Sequence, residues 1–498
     1  MTNQFPKCFP RIQSSLRLIQ RVMQTNGSSS NSTYQDAVRA LNSLQTNASY
    51  IRTAPKHNAI NTTLQDTHKY LARSGLSVED LDSLSIIHIS GTKGKGSTCA
   101  LVESILRSHG YRTALYTSPH LISVRERIRI NGIPISEEDF SKHFWRLYNS
   151  LYLRRERPED MPLYFKFLTI LMFHIFLKST VDVAIIEVGI GGEYDCTNVI
   201  RSPVCTGVTL LGLDHTSMLG DDLSCIAWQK SGIFKEKAPA FTVKQPLEAM
   251  EVLTRRAVER KCHLSVVPDL SAYQWTRFPP DIGILGDVQL ENASLAVKLV
   301  ETWIKSARTQ KNENFIPQNG LCQGFDMKRV ELGLKTCRWP GRTQVLMGKS
   351  SDYYLDGAHT TDSMRACIQW FKKTQENKNS KKILIFNSTG NRDSSQHLEI
   401  LRKIPFARAF FVPNVSGKKC ADQENLTITS EEQIRNCQFH CDIWGKGGVT
   451  GKTVLEALEI IREEFREERV QVLITGSLHL VGAALNVLNP ELTWKTDF

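Results

Sequence analysis

The residues that could do chemistry are densest in the turn at positions 91–97, which reads GTKGKGS. Glycines let main-chain N–H groups converge on phosphate oxygens, and Lys95 adds a mobile cation. An apolar run (86–89) precedes the turn, and apolar residues at helical spacing follow it as far as Gly110. Strand, glycine loop and helix together predict a phosphate site at a helix N-terminus rather than an ordinary tight turn.

The loop departs from the general nucleotide-binding pattern. That pattern has a glycine five residues before the glycine of the Gly-Lys pair and a hydroxyl directly after the lysine. Ile89 and Gly96 stand at those places here, and the hydroxyl comes one residue later, at Ser97. The sequence therefore predicts a compact variant of the phosphate loop.

A second group of candidate residues follows the apolar run 181–188. Such a run predicts a strand buried on both faces of a parallel sheet, and ligands collect at the carboxyl ends of such strands. Glu187 stands at that end, where a carboxylate can hold Mg²⁺ opposite a phosphate loop. His215 follows a further strand candidate at the same edge, which predicts a second metal site. Lys230 lies in a helix that starts near this edge, and sequence physics alone predicts a solvated or anion-pairing lysine.

Polar residues also follow three strand candidates in the last third of the chain. Asp356 and His359 follow one of them, an Asn-Ser-Thr-Gly-Asn-Arg-Asp turn at 387–393 follows another, and Ser477 follows the third. These strand ends predict that one edge of a C-terminal sheet faces the predicted phosphate site.

The elements that must position these residues alternate between strand and helix, which is typical of a doubly wound α/β fold. The fold class predicted is α/β with two domains. A turn-rich stretch at 308–324 and a Trp-Pro-Gly-Arg turn at 339–342 separate them. The predicted domains are therefore 34–340, which contains the phosphate loop, and a smaller α/β domain at 341–498. Asp66 is the predicted N-cap of a helix at 66–74, and Asn131-Gly132 predicts a hairpin turn.

Composition excludes several classes of protein. The 498 residues are 41% hydrophobic and 23% charged, as in a globular enzyme, and the net charge of +11 suits an anionic substrate. The sequence contains no basic run with interleaved aromatics, so it predicts no nucleic-acid site. Cys437, His440 and Cys441 could form one corner of a metal site, but the sequence offers no second pair of ligands at such spacing. These cysteines are therefore interpreted as free thiols. No stretch reaches the ~20 apolar residues that span a bilayer; the nearest, 163–177, predicts a buried helix.

The first 33 residues predict a leader and linker. Four basic residues and no acid precede Asp36, and apolar residues recur on one side of the segment 14–24, as in a mitochondrial transit peptide. A plain disordered tail is the alternative. Met23 permits a second start that would leave most of the leader out. The predicted locations are therefore the mitochondrion and the cytoplasm.

Together the motifs resemble those of the eukaryotic folylpolyglutamate synthases, within the Mur-type amide ligases. They run from Tyr34 to Gly482 and include HISGTKGKGST, TSPHL, RERIRING, EVGIGGEYDCTN, LDHTSMLG, AWQKSGIFK, WPGRTQ, LDGAHT, FNSTGNRD and TGSLHLVG. The resemblance implies a two-domain Mur-ligase-like fold with ATP bound between the domains. It also implies Mg²⁺, L-glutamate and reduced folates as ligands, a monomer, and leaves room for a monovalent cation such as K⁺.

Roles follow from the resemblance, motif by motif. It implies that Glu187 holds one Mg²⁺ with Ser118 and another with His215. Lys230 falls where bacterial-type members carry a metal-bridging carbamylated lysine. The resemblance implies four catalytic residues, which are Lys95, Lys230, His359 and Ser477. Of these, His359 and Ser477 would handle the incoming glutamate or the reacting carboxylate. The implied contacts to ATP are Thr92, Lys93, Gly94, Lys95, Gly96, Ser97, Gln289, Asn292, Arg342 and Asp356. Val288 stands where the family usually has a histidine.

The activity implied is ATP-driven γ-linkage of L-glutamate to tetrahydrofolate polyglutamates through an acyl phosphate. Three alternatives remain open on the sequence. A dihydrofolate synthase of the same fold would use pteroate instead of folate as the acceptor. A P-loop switch or motor would hydrolyse ATP without folate, although the hydroxyl after Lys95 is missing. A binding module without activity would not need the intact Lys95, Glu187 and His215.

Overall fold

The computed structural model describes residues 33–45, 63–306, 324–375, 380–388, 394–418, 429–493, Thr496 and Phe498. The predicted leader, apart from Thr33, lies outside the described residues. So do most of the turn-rich stretch at 308–324 and residues 389–393 of one predicted polar strand end.

The first half of the chain forms an eight-stranded sheet in the order β4-β3-β2-β5-β1-β6-β7-β8. Its strands pair in parallel except for the β2–β3 and β3–β4 pairs. β1 lies between β5 and β6, so the loops after these strands meet at one sheet edge. The strands are β1 Ile86–Ser90, β2 Thr113–Tyr116, β3 Ile128–Ile130, β4 Ile133–Pro134, β5 Val183–Glu187, β6 Cys205–Val208, β7 Ala240–Thr242 and β8 Leu264–Val266.

The last third forms a six-stranded sheet in the order β13-β12-β11-β14-β10-β9. Only the β9–β10 pair is antiparallel. The strands are β9 Gln344–Met347, β10 Ser351–Asp356, β11 Lys382–Phe386, β12 Phe406–Phe411, β13 Gly448–Thr450 and β14 Val470–Thr475. Two sheets with helices around them confirm the predicted two-domain Mur-ligase-like α/β class, whereas the domain limits at 34–340 and 341–498 stay a prediction.

Helices cover both faces of the first sheet, because residues alternate in direction along each strand. Ile86 and Ile186 face one apolar core with α1, α5 and α6, and Ile87 and Ile185 face another with α4, α10 and α11. The helices are α1 Tyr34–Asn42, α2 Thr63–Ser74, α3 Val78–Leu81, α4 Lys95–Ser108, α5 Glu137–Leu153, α6 Tyr164–Lys178, α7 Thr216–Leu219, α8 Leu223–Lys230, α9 Leu247–Glu259, α10 Gln289–Ile304, α11 Met327–Thr336, α12 Thr361–Thr374, α13 Ser395–Leu401, α14 Ser430–Trp444, α15 Val454–Glu464 and α16 Leu478–Leu488.

The predicted strand, glycine loop and helix at 86–110 are confirmed, as are the hairpin at Asn131-Gly132 and the buried strand that ends at Glu187. The N-cap predicted at Asp66 is wrong, since α2 already begins at Thr63. An acid is also favourable in the first turn, near the positive helix end, so its presence alone does not mark the cap.

α6 contains the most apolar stretch of the sequence, and its residues 167–173 are buried in the first core. In the part of the chain that the structure describes, no helix combines the length and apolar character needed to cross a membrane.

Candidate functional site

The glycine loop joins β1 to α4 and leaves the start of that helix open. Gly94 is the N-cap of α4, with a φ of 87°, and no side chain caps the helix. A Cβ at Gly94 would lie 2.2 Å from Asn292 Oδ1, so both the conformation and the packing require glycine. The unpaired N–H groups of the first helical turn, around Lys95, Gly96 and Ser97, are the donors that an anion would use.

Lys230 lies beneath this loop. Its side chain is 2% exposed, and Nζ donates to the main-chain oxygen of Gly91 at 2.8 Å. The prediction of a solvated or anion-pairing lysine is wrong, because Lys230 shares the buried face of α8 with Leu223, Ile226 and Ala227 at helical spacing. Burial, with the charge of Lys95 beside it, holds the pKa of Lys230 well below its ordinary value.

Glu187 lies at the end of β5 opposite the loop, and its carboxylate is held in place by Ser118, whose main-chain N–H donates to Oε2 at 2.8 Å. A Cβ at Gly96 would lie 3.6 Å from Glu187 Oε1. Burial raises the pKa of Glu187 above its ordinary value, while Lys95, the Ser118 N–H and Arg342 act in the opposite direction. A buried carboxylate beside a serine and a phosphate loop is a donor set that suits Mg²⁺.

His215 lies at the start of α7. Its side chain is exposed, its φ is 52°, and it is the N-cap residue of α7. Among the described residues, no group of three or more His, Cys, Asp and Glu side chains could hold a metal. The pairing of His215 with Glu187 at a second Mg²⁺ therefore stays a prediction.

Asp214 connects the two domains. Its Oδ2 lies 3.0 Å from Lys93 Nζ and 3.5 Å from Nε2 of His359, which follows β10 in the second domain. Burial would raise the pKa of Asp214, but the His359 hydrogen bond and the Lys93 charge hold it far below its ordinary value. The main-chain N–H groups of Thr92 and Lys93 donate to Leu210. These two residues of the predicted ATP set thus contact the segment 210–214.

Gln289 and Asn292 open α10 and lie next to the glycine loop. Both are buried, and Asn292 Nδ2 donates to Gln289 Oε1 at 2.9 Å. Asn292 Oδ1 accepts from Thr98 Oγ1 in α4 at 3.4 Å. Val288, in place of the family histidine, is 48% exposed just before α10.

The second domain contributes Arg342 and Asp356 beside the same site. Asp356 accepts main-chain hydrogen bonds from Thr343 and Ala358, both at 2.9 Å. Burial raises the pKa of Asp356, and the charge of Arg342 opposes this shift. Ser477 is buried and caps α16, since its Oγ accepts from the His479 N–H at 3.1 Å. Ser477 thus has a structural role whether or not it contacts substrate.

Two residues to which the sequence analysis gave no role also lie at the site. Trp339 Nε1 is 3.4 Å from where a Cβ of Gly96 would be. Arg127 is buried, and its charge acts on Glu187. Their presence in the WPGRTQ and RERIRING motifs was the available signal, but a motif does not say which of its arginines faces the site.

Comparisons with known proteins identify the fold and the family of the chain. Residues 342–487 match the family described as "Dihydrofolate synthetase, C-terminal domain". The chain is 47% identical over 433 residues to the mitochondrial folylpolyglutamate synthase of Bos taurus, covering 83% of this chain and 74% of that one. It is 41% identical to that of Homo sapiens, covering 92% of each chain.

A solved folylpolyglutamate synthase from Mycobacterium tuberculosis, complexed with ADP and AMPPCP, superposes with a TM-score of 0.68. The match covers 85% of this chain and 95% of that one at 24% identity, so it shows the fold. Fold and site together define a two-domain amide ligase of the Mur type. On the strength of its curated relatives, the chain belongs to the folylpolyglutamate synthase family.

Proposed function

We propose that the protein is an ATP-dependent ligase that adds L-glutamate, through γ-linkages, to tetrahydrofolate and its polyglutamates. The observation that carries the proposal is the position of Glu187, between Ser118 and the glycine loop of the first domain and within reach of the Arg342 charge of the second. Family membership supplies the substrate class.

The reaction has two steps. An oxygen of the folate's terminal γ-carboxylate attacks the γ-phosphate of ATP, the bond to ADP breaks, and an acyl phosphate forms. The α-amine of glutamate then attacks the acyl carbon, phosphate leaves, and the amine loses its proton. A carboxylate is a poor electrophile, and phosphorylation gives it a good leaving group.

The chain's own residues supply binding and charge. We assign the triphosphate to the first turn of α4, which includes Lys95 and Ser97, with Asn292 behind Gly94. Lys95 offsets the charge that builds up when an anionic carboxylate approaches phosphate. Closure of the second domain, with Arg342 and Asp356 at the nucleotide, would exclude water from the acyl phosphate. His359 and Ser477 are proposed at the reacting carboxylate or glutamate.

Mg²⁺ fits beside Glu187 and Ser118, and when bound it would neutralise charge on the phosphates. His215 is proposed to complete a second Mg²⁺ position. Lys230 is buried with a lowered pKa, and an uncharged amine is the form that can attack CO₂, which gives a carbamate once the nitrogen loses a proton. This supports, for this chain, a proposal that Lys230 carries the modification that bacterial-type members have at this place.

A ligation assay tests the proposal. The full chain would receive Mg-ATP, labelled glutamate and tetrahydrofolate, with Lys95→Ala as the matched control. Label in folate and ADP in equal amounts, both lost in the control, are the expected result. If ADP forms without labelled folate, a switch ATPase is favoured. If neither product forms, a binding module is favoured.

Two variations of the assay test finer points. Replacing tetrahydrofolate by pteroate distinguishes a dihydrofolate synthase, which would use pteroate as acceptor. Exchanging K⁺ for Na⁺ tests the monovalent cation, for which the described residues offer no specific observation.

Location and assembly are also proposals. The relatives named above are mitochondrial synthases, and the composition of residues 1–33 supports import of this chain. Fluorescent fusions of the whole chain and of a chain starting at Met23 would separate a mitochondrial form from a cytoplasmic one. Light scattering would test the proposed monomer.

A further inference from the structure

Arg127 is fixed at the edge of the cleft by contacts that use little of its hydrogen-bonding capacity. It ends the short 3₁₀ helix Val124–Arg127, and its main-chain oxygen accepts from Thr117 at 3.0 Å. Its Nε donates to His120 Nδ1 at 2.9 Å, and its guanidinium lies 5.6 Å from the ring centre of Tyr164. These contacts orient the plane of the guanidinium, and no hydrogen bond joins its two terminal nitrogens to a described residue.

A comparison with Arg256 shows how unusual this is. Arg127 is 9% exposed and Arg256 is 5% exposed, and they are the two buried arginines of the described chain. Arg256 pairs with Glu193 and Glu259, whereas no described acid lies within ion-pair distance of Arg127. Buried charges are rare unless they are paired, because removing an unpaired charge from water is costly.

The terminal nitrogens of Arg127 are not enclosed by the protein. They are absent from the enclosed, unpaired side-chain atoms of the described residues, although the Nε atoms of Arg125 and Arg256 are among these. A nearly buried arginine with accessible terminal nitrogens and no internal acid is therefore prepared to bind an anion from outside.

The position of Arg127 indicates which anion this is. Its main-chain oxygen accepts from the N–H of Thr117, and the next residue, Ser118, donates its own N–H to Glu187. Across the cleft, burial lowers the pKa of His479 in the first turn of α16, and the charge of Arg127 adds to this shift. The group bound there would thus lie between the two domains, close to the proposed site of phosphate transfer. Free glutamate and the terminal glutamate of the folate both carry an α-carboxylate a few bonds from the group that reacts.

We propose that Arg127 is a specificity residue that binds the α-carboxylate of a glutamyl substrate through its two terminal nitrogens. This inference rests on the proposed ligase function. The carboxylate belongs either to free glutamate or to the terminal glutamate of the folate, and both present the same chemistry. The planar fork of arginine matches a carboxylate in two parallel hydrogen bonds, which lysine cannot reproduce.

Substrate pairs that differ only at this carboxylate test the proposal with the full chain. One pair is L-glutamate and L-isoglutamine, in which an amide replaces the α-carboxylate. The other is tetrahydrofolate and the same compound with its terminal α-carboxylate as the amide. For each pair, the ratio of the two kcat/KM values measures how strongly the enzyme requires the carboxylate.

The unmodified chain is expected to prefer the carboxylate form of one pair by about 10- to 100-fold, as for a charge-assisted hydrogen bond. In Arg127→Met that preference should fall to within about 3-fold, and the pair affected identifies the substrate. Arg127→Lys should retain part of it. Arg125→Met, two residues earlier, is the matched control and should keep the full preference.

Two results would overturn the proposal. One is that Arg127→Met and Arg127→Lys lower kcat/KM equally for both members of each pair, which is the result of a purely structural role. The other is that the unmodified chain has no preference in either pair. If the unmodified chain does not join glutamate to folate at all, it is the ligase function that fails, so the two failures are distinguishable.

Discussion

Lys230 and Lys95 donate to the same acceptor, the main-chain oxygen of Gly91, from Nζ atoms at 2.8 and 3.0 Å. Gly91 has no room for a side chain, since a Cβ would lie 1.9 Å from Thr209 Oγ1. The loop is therefore supported from within by a buried lysine and carries a second, partly exposed lysine at the proposed phosphate site. Burial lowers the pKa of Lys230.

Replacing Lys230 should change how stability depends on pH. The pKa of Lys230 is lower in the folded chain than its unfolded value of about 10.4, so between these values the unfolded chain binds more protons. The free energy of unfolding should therefore rise with pH in this window, and Lys230→Met should remove that contribution. Thermal unfolding at a series of pH values checks this. Lys244→Met, at a 72% exposed side chain, is the control, and equal slopes for all three proteins would contradict the prediction.

Lys95→Met should abolish ligation without unfolding the chain. The Lys95 side chain is half-buried and its hydrogen bonds go to loop carbonyls, so its loss should cost only about 1 kcal/mol of stability. Loss of the charge at the phosphates should lower kcat by about 10²- to 10³-fold. Steady-state kinetics and thermal unfolding measure the two effects. A variant that unfolds early, or one that retains full kcat, would show that Lys95 serves the loop instead of the reaction.

Gly94→Ala should weaken ATP binding more than it weakens the fold elsewhere. Gly94 has a φ of 87°, and a Cβ there would lie 2.2 Å from Asn292 Oδ1. Gly75 offers a matched control, because its φ is 91° but nothing lies within 4 Å of its Cβ position. In both variants the alanine must adopt a positive φ, which should cost about 1 kcal/mol of stability. Only Gly94→Ala should lose ATP affinity as well, measured by calorimetry, and equal affinities in the two variants would refute the prediction.

The sequence was sufficient for the elements with strong patterns. The run that ends at Glu187 is buried on both faces and needed no tertiary information. Five of the longer helices were not predicted, namely α5, α10, α11, α14 and α16. α10 begins inside the polar motif around Gln289, and α16 is apolar on most sides, so neither has a single apolar face.

The site could be predicted in its residue types but not in its contacts. Strand ends indicate which residues meet at a sheet edge, and this is why Glu187 and Ser118 lie together. Whether a polar side chain points into the protein depends on packing from other elements, and this is why Lys230 was misjudged. The same reason applies to Arg127, whose guanidinium lies against the ring of Tyr164 on a helix distant in sequence.

A surface ion pair across the cleft should contribute modestly to ATP binding. Asp287 Oδ2 lies 2.5 Å from Lys373 Nζ on α12, and the two side chains are 59% and 57% exposed. An exposed pair contributes about 0.2–1 kcal/mol, so Asp287→Lys should raise the KM for ATP by no more than about 5-fold, through less favourable closure. Because salt screens exposed charges, the effect should shrink as ionic strength rises. The double variant Asp287→Lys/Lys373→Asp should restore the original KM at low salt. A double variant as impaired as the single one would mean that Asp287 acts through another contact, such as the hydrogen bond from Gln369 Nε2 at 3.2 Å.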